Sequence, residues 1–326
     1  MSRDPEPARP LTWVIGAGGL VGRHVVAALR ASRHEVVTTA VPWGDEEASA
    51  AALAEGVERL TAARPGRPWT VAWCAGAGVV ATGEEALAAE VRVFARTAET
   101  LRASLLGPGG AGGGVVFLAS SAGGLYAGST APPFDESSDP APLVAYGRAK
   151  LAMEHEVRAL AAATGVRAVL GRLSNVYGPG QTLGKPQGLL SQLCLADATG
   201  RPLPVFVSMD TLRDYLYGPD AGRMVERSVA LARREPVGTV VTKVLASGRP
   251  VTVGYLVSEA RRVFHRPLRT IPVGGGASRG QVLDLRLRSR VWPEVDALAA
   301  TPLAAGLAQT SADVRARVVS GGPLDP

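Results

Sequence analysis

Several residue types that would define whole classes of protein are scarce in this chain. Two cysteines, Cys74 and Cys194, are too few and too far apart for a disulfide framework or a cysteine-rich metal site. They read as small buried hydrophobes. Lysine occurs three times (Lys150, Lys185, Lys243) against 32 arginines, and no run of four basic residues exists. The net charge of +6 is therefore scattered among acids. Without a basic cluster or a nucleic-acid-binding motif, nucleic acid is not expected as a partner. The Pro-rich opening MSRDPEPARP has no apolar core, and no uncharged apolar stretch reaches the roughly 18 residues of a membrane helix. Neither secretion nor a membrane partner is expected, and the location expected is cytoplasmic.

What remains is a globular composition. Hydrophobic residues make up 46% and charged residues 20%, with a mean hydropathy of +0.13. Disordered, collagen-like and coiled-coil classes are excluded. At about 150 residues per domain, 326 residues suggest a two-lobed unit or two domains.

Apolar runs of strand length alternate with Ala/Leu-rich stretches of helical period, which predicts an α/β fold with a parallel sheet covered by helices. Strands are expected near 11–15, 35–39, 70–74, 115–120 and 167–172, and helices near 20–31, 45–63, 84–105 and 145–164. Thr82 and Glu85, three apart, have the spacing of a capping box for the third helix. GPGGAGGG at 107–114 reads as a flexible surface connection. Beyond residue 178, Pro and Gly become dense and shorter elements are expected: a β-rich pair at 239–245, a helix near 252–264 and a strand near 268–272. The division expected is a tail at 1–10 and a dinucleotide-binding domain at 11–178, with 205–245 returning to it. Residues 179–204 and 246–326 then form a substrate-binding lobe.

The first strand runs into GAGGLVG. Gly16, Gly19 and Gly22 suit a tight turn, a close backbone approach to a pyrophosphate, and close packing of helix on strand. The helix opening at Leu20 offers unpaired N–H groups and a favourable dipole to the phosphates. At the end of the second strand, Thr38 and Thr39 stand where an acid usually holds the ribose of NAD. An acid there would repel a 2′-phosphate, so its absence leaves NADP open and leans towards it. Thr39 is a cofactor candidate, and Arg23 or Arg33 could supply the cation; both arginines could equally be solvated helix residues.

Downstream, FLASSAGGLYAG precedes AYGRAK. Tyr146 and Lys150 are four apart and share a helix face. Six tyrosines and three lysines would give about 0.06 such pairs by chance. A phenol is a weak base at neutral pH unless a nearby ammonium favours its phenolate, which is the role expected of Lys150. Tyr146 would then take a proton from a substrate hydroxyl or return it, with Ser121 bonding the same oxygen.

These segments, with GRLSNVYGPGQ at 171–181 and LRDYLYGPD at 212–220, resemble the extended short-chain dehydrogenase/reductases of the NAD-dependent epimerase/dehydratase family. Most of these act on nucleotide sugars. Weaker echoes at Arg279 and TPLAAGL (301–307) extend the likeness over about 11–315. The resemblance implies a Rossmann-type doubly wound sheet with a smaller C-terminal lobe, NAD or NADP as cofactor, a nucleotide-diphosphate sugar as substrate, and a homodimer. It implies that Ser121, Tyr146 and Lys150 are catalytic, that Asn175 positions the sugar or its diphosphate, and that Arg213 and Arg279 hold the diphosphate. Asp214 and Asp220 are expected to order their segment or cap the following helix.

Three departures qualify it. Glu90 and Val91 stand where many members open a helix with Asn. One extra residue precedes Tyr126. Ala122, Gly123 and Gly124 replace the acid pair with which the family's dehydratases eliminate water, so dehydration is disfavoured. Hydride transfer at C4 remains, first as a sugar epimerase and alternatively as an NADPH-dependent ketoreductase. A non-catalytic dinucleotide-binding sensor is the reading outside the enzymes.

Overall fold

The computed structural model describes residues 8–76, 82–107, 109–110, 112–184, 188–265, 267–272 and 282–321. Strands and helices alternate through the first half: β1 (Leu11–Ile15), α1 (Leu20–Ala31), β2 (Glu35–Thr38), α2 (Glu46–Ala63), β3 (Trp69–Trp73), α3 (Glu84–Leu106), β4 (Val115–Ser121), the single turn α4 (Ala122–Leu125), α5 (Ala145–Thr164) and β5 (Arg167–Leu173). Shorter pieces follow: β6 (Asn175–Tyr177), α6 (Leu189–Thr199), β7 (Leu203–Val205), β8 (Leu212–Arg213), β9 (Tyr215–Tyr217) and α7 (Gly218–Ala232). Then come β10 (Val240–Leu245), β11 (Val251–Thr252), α8 (Val253–Phe264), β12 (Thr270–Pro272), β13 (Asp284–Leu285), α9 (Pro293–Asp296) and α10 (Leu303–Val319).

The main sheet is parallel and six-stranded, in the order β10-β5-β4-β3-β1-β2. All five residues of β1 and of β3 are buried, as expected of strands covered on both faces. One face packs under α2, α3 and α5, the other under α1 and α7. Trp13 shows how closely the layers meet: a Cβ on Gly56 of α2 would lie 2.2 Å from its ring, so only glycine fits there. In the usual doubly wound order a third strand lies outside the second. Here β2 is the sheet edge, its residues mostly exposed, and α2 leads directly back to β3 beside β1.

The expected helices and strands of the first half are present within a residue or two of their boundaries. Two local expectations fail. The cap of α3 is Gly83 in an extended conformation, without a side-chain capping bond, and Glu85 instead pairs with Arg92 at 3.0 Å. The capping-box spacing is therefore offset by one residue from the helix start. The β-rich segment at 239–245 is not a hairpin pair but one strand, β10, added in parallel to β5. By contrast, α2 has a side-chain cap: Asp45 accepts from Ala48 N at 3.0 Å, with Glu46 and Glu47 favourably placed in the first turn.

A separate hydrophobic cluster joins α6, α8 and α10 with Tyr177 and Tyr217. Among the described residues no helix is long and apolar enough to cross a membrane, and no group of three or more His, Cys, Asp or Glu could hold a metal ion.

Candidate active site

The carboxyl ends of β1, β3 and β4 meet at one edge of the sheet, where open α/β sheets bind their ligands. At β1 the chain leaves through Gly16, whose φ of +81° and contact with the Ala75 backbone (2.5 Å to an added Cβ) exclude any side chain. Gly22 packs equally tightly, with an added Cβ 2.0 Å from Gly16 O. Between them Gly18 and Gly19 are exposed, and an added Cβ on Gly18 would meet nothing within 4 Å. Gly19 caps α1 in an extended conformation with no side chain over the first turn, and Leu20 begins the helix. The loop is thus rigid behind and open in front, a cradle of backbone N–H groups that fits a pyrophosphate.

The expected ribose side differs in detail. Arg23 Nη2 donates to Gly18 O at 2.8 Å, and its guanidinium fills the space a Cβ on Gly180 would need, so it buttresses the loop instead of reaching the end of β2. Arg33 precedes β2 at the opposite, amino end of that strand and is remote from this edge. Thr39 accepts from the Trp13 indole at 3.0 Å and from Arg59 at 3.4 Å, so its hydroxyl is turned onto the sheet face under α2. Arg59, which sequence reasoning missed, is a cation beside Thr39 at the end of β2. Nothing in the spacing of residues 39 and 59 announces the contact.

At the end of β4, Ser121 caps α4, its Oγ accepting from Gly124 N at 3.1 Å. That leaves the hydroxyl proton to be directed elsewhere. Gly124 carries the Tyr146 ring: an added Cβ would lie 3.1 Å from it. Gly147 lets α5 close on α4, since its Cβ would fall 2.1 Å from Gly124 O. This glycine pair sets the Tyr146 ring against the turn that Ser121 caps, and the available signal was one glycine inside AYGRAK and one in SSAGGLY. Lys150 lies one turn along α5, its Nζ 5.9 Å from the Tyr146 ring centroid.

Lys150 has a partner the sequence did not predict. Its Nζ donates to Glu90 Oε1 of α3 at 3.0 Å, with the two side chains 5% and 10% exposed. The segment between Ser121 and Tyr126 forms the α4 turn. Tyr126 is fully buried, donating to Asp135 O at 2.7 Å and accepting from Arg172 at 2.7 Å. Burial raises its phenol above the ordinary range.

The other expected residues are distributed around β6, β8 and β9. Asn175 is exposed beside β9 and donates through Nδ2 to Asp214 O at 2.8 Å. Arg213 is half-buried in β8, without a carboxylate within ion-pair distance among the described residues, and burial lowers its pKa. Arg279 lies outside the described residues. Asp214 receives the Ser247 N–H and hydroxyl, both at 2.8 Å, and Asp220 receives Thr301 N and Oγ1. Both aspartates order their segment; the cap of α7 is Tyr217. Cys194 is buried as expected, whereas Cys74 just after β3 is only half-buried, and desolvation pushes both thiols up to about 12.

Comparison with known proteins agrees with this architecture. The sequence pattern of the NAD dependent epimerase/dehydratase family matches residues 12–241. The chain is 27% identical over 142 residues to a dTDP-4-dehydro-6-deoxyglucose reductase of Escherichia coli, which covers 44% of this chain and 43% of that protein. The match thus spans less than half the length of that curated relative. Among solved structures, a UDP-glucose 4-epimerase from Thermotoga maritima with UDP-glucose superposes with a TM-score of 0.73 at 22% identity, over 94% of this chain and 99% of the other. RMD from Pseudomonas aeruginosa complexed with NADPH gives 0.72 at 21% identity, over 95% and 100%. At these identities the likeness is one of fold.

Proposed function

The chain belongs to the NAD dependent epimerase/dehydratase family, and on that premise we propose that it carries out NAD(P)-dependent hydride transfer at C4 of a nucleotide-diphosphate sugar. The observation that carries this reading is the convergence of Ser121, Gly124, Tyr146 and Lys150 at the sheet edge that also holds the Gly16–Gly22 cradle. A nicotinamide dinucleotide bound along that cradle supplies or accepts the hydride. Ser121 directs its hydroxyl proton at the substrate oxygen, and Tyr146 donates a proton to that oxygen or removes one. Lys150 holds its ammonium beside the phenol. Arg213, half-buried and in no ion pair among the described residues, offers a donor fork to the diphosphate, and Asn175 borders the sugar. The name of the E. coli relative supports a 4-keto sugar as substrate.

Of the two readings considered, we favour net reduction of a keto group, with the following support. An epimerase must retain its dinucleotide while the hydride is returned to the opposite face. In this chain β2 is the sheet edge, with no third strand beside it among the described residues and no acid at its end. An edge strand that ends without an acid supports a dinucleotide that exchanges between turnovers. Epimerisation is the second reading, supported by the fold shared with the T. maritima epimerase.

The experiment is incubation with a panel of nucleotide sugars and 4-keto sugars plus NADPH, followed by NMR, with mass analysis of any dinucleotide that co-purifies. Consumption of NADPH with a 4-keto sugar establishes the reductase, and tightly retained NAD with an epimerised product establishes the epimerase. No turnover of any sugar and no dinucleotide binding overturns the assignment.

A further inference from the structure

We propose that Glu90 is a positioning residue of this site: it fixes the Lys150 ammonium and cancels its charge beside Tyr146, so that the resting site keeps its proton on the phenol oxygen. The proposal rests on the assignment of Tyr146 as the group that exchanges a proton with substrate.

Two helices build the pair. Glu90 on α3 and Lys150 on α5 are sixty residues apart and meet at 3.0 Å, both nearly buried. Gly76, just past the end of β3, lies against them. A Cβ there would be 3.2 Å from Lys150 Nζ and 3.5 Å from Glu90 Oε1, so a larger residue would press on the contact. Met153 Sδ, 3.8 Å from Nζ, adds an apolar neighbour.

The surrounding charges are already committed. On α3, Glu84 pairs with Arg148 and Glu85 with Arg92, all at exposed positions where solvent screens them. One turn beyond Lys150 on α5, Glu154 is bound by Arg172 of β5. From β4, Ser120 and Ser121 are neutral, and α4 carries no ionisable side chain. Among the described residues, the charge seen against the Tyr146 ring is the Lys150 ammonium, and the Glu90 carboxylate is paired with it.

An isolated ammonium near a phenol favours phenolate; an ammonium compensated at contact distance does so far less. The pair is shielded from bulk water, so the compensation is not screened away. The proton accordingly rests on Tyr146 Oη. During reduction it passes to the substrate carbonyl oxygen as the O–H bond of the phenol breaks, and solvent restores it afterwards. Glu90 touches neither substrate nor the reacting atoms and acts through Lys150.

Glu90→Gln tests this, because it keeps the size and an acceptor oxygen while removing the charge. The first readout needs neither sugar nor dinucleotide: near-ultraviolet titration of tyrosinate in the full-length protein, with the Tyr146 contribution isolated by subtracting Tyr146→Phe in each background. In Glu90→Gln that contribution is expected to appear about one pH unit or more lower than in the parent. An unchanged or higher titration overturns the proposal. The second readout is the alkaline limb of kcat/KM for carbonyl reduction, which is expected to move down with Glu90→Gln and only part of that way with Glu90→Asp; a limb that stays in place with Glu90→Gln also overturns it. If Glu90→Gln does not fold, Glu90→Asp, which keeps but retracts the charge, must shift the optical titration part of the way in the same direction, and no shift counts against the proposal. Absence of turnover with every sugar, together with a shifted titration, would overturn the enzymatic reading and leave the role of Glu90 standing.

Discussion

Arg172 grips Glu154 behind the active-site edge, its Nε and Nη2 donating to the two carboxylate oxygens at 3.0 and 2.7 Å, while Nη1 donates to the Tyr126 hydroxyl. Ser120, next to Ser121, donates to the same carboxylate at 2.7 Å. The network ties β4, β5 and α5 together beneath the residues proposed to handle the proton. Removing one member of a buried pair strands the other, at a cost of about 3–5 kcal/mol. Glu154→Ala is therefore expected to lose that much stability in urea unfolding, whereas replacing Glu154 and Arg172 together by Leu and Met is expected to cost less than the single change.

Tyr146→Phe removes only a hydroxyl from a ring that rests on Gly124. The expectation is a fall in kcat of about 10²- to 10⁴-fold with an unchanged unfolding midpoint. Steady-state kinetics alongside thermal melting check it. A variant that keeps its full rate removes Tyr146 from the chemistry.

The cradle glycines should separate folding from binding. Gly22→Ala would drive a Cβ to 2.0 Å from Gly16 O and is expected to destabilise the fold severely. Gly19→Ala meets only Gly16 O, at 3.4 Å, so its melting temperature should stay close to the parent's. Its new methyl nevertheless stands on the open face, and fluorescence titration with NADPH is expected to show binding weakened about tenfold or more.

Arg213→Ala is expected to raise KM for the diphosphate substrate about tenfold or more and to leave kcat nearly unchanged, the pattern of a binding contact made equally in ground and transition states. Initial-rate measurements at varied substrate concentration decide it; an unaltered KM would place the diphosphate elsewhere.

His34, hydrogen-bonded to Thr12 Oγ1 at 2.8 Å, has its pKa lowered to about 4 by burial and by the nearby Arg233 charge. The folded state thus resists protonation that the unfolded chain accepts at an ordinary value near 6.5. Between those two values the unfolded state binds more protons, so stability is complete above about pH 6.5 and declines as pH falls towards about 4. Urea midpoints across this range are expected to fall in the parent and to fall less steeply in His34→Gln.

Legibility followed the range of the interactions. Helices α1, α2, α3 and α5 were readable because their periodicity is local, and the parallel sheet because five-residue apolar runs alternate with them. The cap of α3 was misread by one position: a short spacing rule is indifferent to which residue turns extended. Tyr146 and Lys150 were readable because a helix turn fixes their relation. Lys150 with Glu90 and Glu154 with Arg172 are charge pairs across 60 and 18 positions, and among many acids and arginines no spacing rule selects the right partners. Arg59 beside Thr39 was hidden for the same reason.

The sequence by itself determined the fold class, the glycine cradle and the Ser, Tyr and Lys candidates, all of which rest on contacts within a few residues or on a repeating pattern. Only the tertiary structure decided that Arg23 braces the loop, that Arg33 lies at the far end of β2, that β2 forms the sheet edge, and that a buried carboxylate meets the lysine. Each of those depends on which distant segments the packed sheet and helices bring together, and packing of the whole chain is what selects among the pairings that local spacing leaves open.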